Sequence, residues 1–337
     1  VMICLLALGY KAVAMVVIQT IFNISTLLID YFYCIYKLRI KVIFGKFKWG
    51  FLKEVAIYSF WILLNVVMDR IYWSTGQFVL GAFVGTAAVA IFAVAIQLEQ
   101  MYMTFSTSIS SVFLPKITNM VTLNNNPKEI SDLFIKTGRL QYIVMSTILL
   151  GFIIFGKQFI NLWAGDDYEN AYYITLMFFV CLFPPLIQNL GIAILQARNQ
   201  MKFRSLLYVV IAGLSLILQI FLSKIYGGIG CAIAISSALL IGQGLIMNIY
   251  YHKRQGINII SFWKEIIKMS ICPVIIGIMG ILILREVEIS SWGDLAIYMC
   301  AFMVIYIPTL YIFSCNQYEK QLIKSLIHPI IYKLRHD

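Results

Sequence analysis

An all-α, polytopic transmembrane helical bundle is the fold class this sequence predicts, and three observations carry it. Hydrophobic residues make up 61% of the chain and charged ones only 12%, with a mean hydropathy of +0.87, whereas a soluble domain carries about 25% charge. Apolar runs long enough to cross ~30 Å of hydrocarbon recur from one end to the other, and a helix is the open-ended form that pairs every backbone group within such a run. Lysine and arginine gather between alternate runs, the asymmetry that marks the cytoplasmic side of a membrane protein.

Taken in order, Val1 to Leu8 reads as the tail of a crossing and Tyr10 to Tyr36 as the first complete one. Lys37, Arg39, Lys41, Lys46, Lys48 and Lys53 then form a dense basic loop, which places it in the cytoplasm. Val55 to Phe83 runs outward, Thr86 to Pro115 returns, and Lys116, Lys128, Lys136 and Arg139 fall inside. Leu140 to Trp163 leads out to the acidic Asp166, Asp167 and Glu169, and Ala171 to Leu195 comes back to Arg198, Lys202 and Arg204. Leu206 to Leu222 and Ala232 to Tyr250 flank an external turn at 226–230 and end at Lys253 and Arg254. Ile266 to Leu284 and Leu295 to Phe313 enclose an external loop with Arg285, Glu286, Glu288 and Asp294. Nine complete crossings plus one partial follow.

On this topology 21 of the 26 Lys and Arg residues are cytoplasmic, Lys11, Lys157, Lys224 and Arg285 are external, and Arg70 alone lies within a span. The net charge of +11 therefore expresses orientation in the membrane, and no nucleic-acid partner is needed to explain it. The tail from Asn316 interleaves apolar residues with Lys320, Lys324, Lys333 and Arg335, which suits an interfacial amphipathic segment or a solvated tail. Because the chain opens on Val1 inside an apolar run, with no initiator Met and no basic leader, it is expected to be a fragment of something longer.

The chemistry concentrates between Trp61 and Pro115, where Asp69, Arg70 and Glu99 interrupt apolar helices. A charge at membrane depth costs about 2.5–3.5 kcal/mol on insertion scales, so it faces a cavity or a partner. Asn65 and Asp69 share one face of their helix, and Arg70, Ser74 and Gln77 form a second stripe about 100° round. On the next helix Gln97, Gln100, Thr104, Thr107, Ser108 and Ser111 make a polar row of roughly 21 Å at about 1.5 Å per residue. Such a row lines a water-filled path or hydrogen-bonds neighbouring helices. Arg70 suits an anion, since guanidinium stays charged and grips phosphate oxygens bidentately; the competing reading is an ion pair with Glu99. Asp69 and Glu99 suit a proton or Na⁺. Gly81 and Gly85, four apart, predict close helix packing, with a hinge at the external turn as the alternative. Pro184 and Pro185 predict a broken crossing whose freed backbone groups Gln188 and Asn189 are placed to satisfy.

Catalytic patterns are scarce. His252, His328 and His336 lie at cytoplasmic ends, no HExxH, GxSxG, Walker A or GxGxxG run occurs, and the seven cysteines show no CxxC or metal-ligand spacing. No metal and no cofactor is expected, and the chain is not expected to be an enzyme.

The basic loop followed by FLKEVAIYSFWILLNVVMDRIYWSTGQFVLGAFVGTAAVAIFAVAIQLEQMYMTFSTSISSVFLPKI resembles the start of the C-terminal lobe of the oligosaccharide-lipid flippases, the O-antigen and capsular repeat-unit flippases of the multidrug/oligosaccharidyl-lipid/polysaccharide exporter superfamily. LGAFVGTAAVAIFAVA at 80–95 and FLPKI at 113–117 carry the resemblance most sharply. It implies two six-helix lobes around a central cavity, with 1–54 as the end of the first lobe and a cytoplasmic basic linker, 55–254 as the second lobe, 255–315 as two added helices and 316–337 as a cytoplasmic tail. About four crossings would precede Val1. The implied activity is moving an undecaprenyl-diphosphate-linked oligosaccharide across a bacterial plasma membrane by alternating access. Its partners would be that lipid, membrane lipids and other polysaccharide assembly proteins. The candidate substrate-binding residues are Arg70, Gln77, Gln97, Gln100, Thr104 and Ser108, with Asp69 and Glu99 for ion coupling. The alternatives are a membrane polysaccharide polymerase or ligase and a drug/cation antiporter of the same superfamily.

Overall fold

The computed structural model describes residues 12–37, 49–123, 126–284, 287, 289–322 and 324–325. The partial crossing at Val1 to Leu8, Lys11, the basic loop from Arg39 to Lys48, the charges at 285, 286 and 288, and the tail holding His328, Lys333, Arg335 and His336 lie outside the described residues. Those described are helical almost throughout, and no strand occurs among them: α1 (Ala12–Phe32), α2 (Trp49–Phe83), α3 (Thr86–Thr122), α4 (Pro127–Ala164), α5 (Glu169–Ile187), α6 (Leu190–Ala197), α7 (Met201–Leu239), α8 (Met247–Arg254), α9 (Ile259–Leu284) and α10 (Trp292–Phe313). Among the described residues eight helical stretches are long and apolar enough to cross a membrane, so the chain is an all-α, multi-pass membrane protein. One of the eight, Met201–Arg254, spans 54 residues and breaks at Gly227, whose φ of 56° and ψ of −134° are not helical. Two crossings share that stretch, as the turn at 226–230 predicts.

Contacts divide the chain into a unit ending at Val55 and a unit beginning at Ala56. In the first, α1 leaves Ile21, Phe22, Leu27 and Ile29 exposed, while its Ser25 and Thr26 hydroxyls donate to the carbonyls of Ile21 and Phe22. Such back-bonding hides polar atoms on a helix with an apolar surface.

In the second unit, local chemistry sets the helix ends. Asn126 caps α4 by accepting from the Lys128 N–H at 3.1 Å, Pro127 opens the first turn, and Gly165 closes the helix at a φ of 102°. Ser291 caps α10 by accepting from the Asp294 N–H at 3.1 Å. Several helices outrun their apolar runs. At 35, 37 and 38 residues, α2 to α4 reach about 52–57 Å, more than the ~40–45 Å of a bilayer with its headgroups. Pro115 and Leu140 are therefore interior positions of α3 and α4, and Lys116, Lys128, Lys136 and Arg139 ride on helices, not on the expected loop. Hydropathy marks only the apolar part of a helix.

Gly85 is a turn glycine, not half of a packing motif. Its φ of 126° and ψ of 172° connect α2 to α3 in open space, and Gly81 is exposed, where an added Cβ would meet Val89 at an ordinary 3.7 Å. The spacing predicted close packing, but the conformation puts the need at the turn. Gly85→Ala is expected to cost about 1–3 kcal/mol through that Gly-only conformation, read as a lower thermal midpoint of the purified protein.

The core gathers around α4, α5 and the helices packed on them. Tyr102 stacks on Phe179 with ring centroids 4.1 Å apart, and Phe178 meets Trp73 and Phe92 edge-on at 5.4 and 5.8 Å. Gly138 lets α9 press onto α4, since a Cβ there would collide with the Phe262 ring and lie 2.8 Å from the Ile187 carbonyl. One helical turn of α4 holds the most heavily bonded charge. Arg139, only 5% exposed, donates from Nε to Glu319 Oε1 at 2.6 Å, from Nη1 to Glu265 Oε2 at 2.8 Å and from Nη2 to the Ser314 carbonyl at 3.2 Å. Its place between apolar runs predicts a loop cation, but in the structure it ties α9 and the segment after α10 to α4.

Candidate functional site

A cavity of about 650 Å³ opens inside the second unit, between α2, α3, the α5–α6 break, the start of α7 and the segment Leu240–Ile246. From α2 it takes Asp69 and, on the adjoining stripe, Arg70, Ser74 and Gln77. From α3 come Glu99, Gln100, Thr104 and Thr107. Six of the eight candidate site residues thus share one wall system: Arg70, Gln77, Gln100, Thr104, Asp69 and Glu99.

Gln97 and Ser108 are exposed away from it. Helix geometry explains the difference. The arc that α3 turns to the cavity, from Ile96 to Thr107, is centred near Thr107, and at about 100° per residue Gln97 and Ser108 lie roughly 80–100° round from that centre. The Thr104 and Thr107 hydroxyls donate to carbonyls of their own helix, Gln100 at 2.8 Å and Met103 at 3.2 Å, so their oxygens remain free to accept. Helix-to-helix bonding belongs instead to Ser106 and Ser110, on the flank of that arc away from Gln97 and Ser108. Ser106 donates to the Leu186 carbonyl at 2.6 Å and receives Gln141 Nε2 at 3.2 Å, while Asn189 Nδ2 donates to Ser110 at 2.9 Å.

Those bonds also revise the reading of the α5–α6 break. Gln188 and Asn189 do not serve the backbone released by Pro184 and Pro185: Gln188 donates to Asn248 Oδ1 at 2.8 Å, and Asn189 goes to Ser110. The Leu186 carbonyl at the break is satisfied across the helix interface by Ser106 and locally by the Asn189 N–H at 3.3 Å.

Charges in the cavity are not paired off. Among the described residues neither Arg70 nor any other cation forms an ion pair with Asp69 or Glu99, so the expected Arg70–Glu99 pair is absent. Arg70 is exposed to the cavity. Glu99 is 0% exposed as a residue, and neither carboxyl oxygen has a hydrogen-bond partner among the described residues. Asp69 accepts from the Tyr208 hydroxyl at a long 3.4 Å. A chamber with an unpaired guanidinium, two carboxyls and a row of amides and hydroxyls is equipped to bind a polar, anionic ligand.

The model of the polysaccharide biosynthesis protein family matches residues 1–173, just over half of the 337. The chain belongs to that family. No curated protein and no solved structure matches it. The match covers all of α2 and α3, so the helices carrying Asp69, Arg70, Gln77, Glu99, Gln100 and Thr104 lie within the polysaccharide biosynthesis region.

The rest of the cavity of this polysaccharide biosynthesis protein lies beyond the matched region, and there sequence reasoning missed a residue. By its place between apolar runs Arg204 belongs to a cytoplasmic loop, which leaves Arg70 as the only cation within a span. In the structure it is 7% exposed, lines the same cavity, donates from Nη1 to Asn65 Oδ1 and holds its guanidinium carbon 4.9 Å from the Tyr208 ring centroid. The signal was present as a helical stripe: Arg204, Tyr208, Ser215 and Gln219 follow i, i+4, i+11 and i+15, and all four are buried.

Proposed function

We propose that this polysaccharide biosynthesis protein is a flippase that moves an undecaprenyl-diphosphate-linked oligosaccharide repeat unit from the cytoplasmic to the outer leaflet of a bacterial plasma membrane. The observation that carries the reading is Arg70, an exposed guanidinium without an ion-pair partner among the described residues, in a polar cavity within an otherwise apolar bundle. Arg70 holds the diphosphate, a planar donor fork meeting phosphate oxygens. Gln77, Gln100 and Thr104 face the same space and supply donors and acceptors for sugar hydroxyls. Asp69 and Glu99 couple the cycle to a proton or cation, and a bias between two access states is all that such coupling has to supply. No bond of the substrate is made or broken in this scheme, so the protein acts as a transporter and not as an enzyme.

A polymerase or ligase working on the same lipid is the rival class, and it requires an external loop with reactive groups. The α4–α5 connection is a single short turn, Asp166–Tyr168, without His or Arg, and the external loop with Arg285, Glu286, Glu288 and Asp294 is about ten residues long and has no His. The test is Arg70→Ala and Arg70→Lys in the longest reading frame containing this chain, scored by surface polysaccharide at matched protein level. Ala is expected to reduce export to background and Lys to retain a part of it, because a point charge replaces the bidentate fork. Normal export by the Ala variant would overturn the anion role. Movement of a labelled lipid-linked sugar across reconstituted vesicles, with its covalent structure intact, separates flippase from polymerase.

A further inference from the structure

We propose that Arg204 is a second anion-holding group of the cavity, taking a phosphate of a diphosphate-bearing lipid, and that Asn65 parks its guanidinium when no anion is bound. This rests on the substrate class proposed above. The guanidinium has five N–H donors, and among the described residues only Nη1 is engaged, by the neutral Asn65 carbonyl oxygen. Its other close neighbour is the Tyr208 ring face. No carboxylate forms an ion pair with it among the described residues, although Asp69 and Glu99 line the same cavity. A cation this buried calls for an anion, because desolvation is offset only by a charge partner.

A purely structural role explains less. The seam between α2 and α7 is already closed beside Arg204 without charge: Ser205 donates to the Trp61 carbonyl at 2.8 Å and accepts from Asn65 Nδ2 at 3.2 Å. The position also opposes a simple tether. Arg204 sits at the end of the first turn of α7, which begins at Met201, where the helix dipole disfavours a cation and favours an anion. Arg70 on α2 and Arg204 on α7 thus present to one chamber two guanidinium groups that form no ion pair among the described residues, one for each phosphate of a diphosphate.

The experiment is calorimetric titration of the purified full chain in low-salt detergent with farnesyl diphosphate, a short polyprenyl diphosphate. Arg204→Gln is expected to weaken binding by about tenfold or more and Arg204→Lys by less, the loss of a charge-assisted fork. Asn65→Ala, which frees the guanidinium, is expected to tighten it. Wild-type affinity in a folded Arg204→Gln protein, or a tenfold loss in Asn65→Ala, would overturn the proposal. Displacement of the probe by phosphatidylglycerol as effective as by inorganic diphosphate would equally overturn it, since a phospholipid headgroup would then be the ligand. Vesicle flipping keeps the two readings apart. Transport of a lipid-linked sugar that survives Arg204→Gln counts against this site alone; diphosphate binding by a wild-type protein that does not flip the lipid counts against the flippase.

Discussion

Arg139→Ala is expected to lower the stability of the bundle by about 3–5 kcal/mol, the usual cost of removing one partner from a buried ion pair. Glu319, only 1% exposed, receives both Nε and Nη2 of Arg139 at 2.6 and 3.0 Å and would be left as an uncompensated charge. The loss spreads along the chain. Glu319 Oε2 also accepts from the Asn316 N–H at 2.8 Å while Asn316 Oδ1 accepts from the Glu319 N–H at 2.9 Å, a reciprocal cap that starts the segment after α10. Without Arg139 that cap loses its anchor, and so does Glu265 on α9. The expected readouts are a lower thermal midpoint in detergent and faster proteolysis beyond Ser314. A double replacement, Arg139→Met with Glu319→Leu, should recover much of the loss, because an apolar pair of similar volume carries no desolvation cost. An unchanged midpoint in Arg139→Ala would show that the network contributes nothing to holding the C-terminal helices.

Glu99→Gln is expected to abolish export while leaving the protein at least as stable as wild type. A carboxyl that is fully buried with both oxygens unpartnered gives the fold little, since an unmade hydrogen bond at a buried polar atom costs about 1–3 kcal/mol. An amide of the same shape keeps the local packing and removes the carboxyl that a proton or cation would exchange with. Under the proposed coupling role the two readouts therefore separate: the thermal midpoint holds or rises, and surface polysaccharide falls to background. Export at the wild-type level would remove Glu99 from the transport cycle. A midpoint several degrees lower would show instead that its carboxyl has a structural partner.

Much of the site is legible in the sequence because membrane physics makes polar residues conspicuous. Asp69, Arg70 and Glu99 stood out against apolar surroundings, and the α3 row predicted Gln100 and Thr104 on one face; all five line the cavity. The same reasoning erred where several causes shared a residue type. Gln97 and Ser108 matched the row by spacing, but spacing alone does not say where an arc ends. Gly81 and Gly85 matched a packing pattern, yet Gly85 was needed for its backbone conformation. Arg139 and Arg204 were assigned by counting cations between apolar runs, a rule that registers charge and not the side of the helix that carries it.

The sequence by itself determined that this is a multi-pass helical membrane protein, which way its basic segments group and which two helices carry charge into the apolar layer. These follow from the transfer cost of each residue, a quantity that adds along the chain and needs no partner. Only the tertiary structure decided that Arg204 joins Arg70 in one cavity, that Ser106 and not Gln188 or Asn189 closes the α5–α6 break from across the interface, and that Glu319 reaches Arg139 across 180 residues of sequence. Each of those depends on which helix faces meet, and residues far apart in sequence carry no local signal of the partner that completes them.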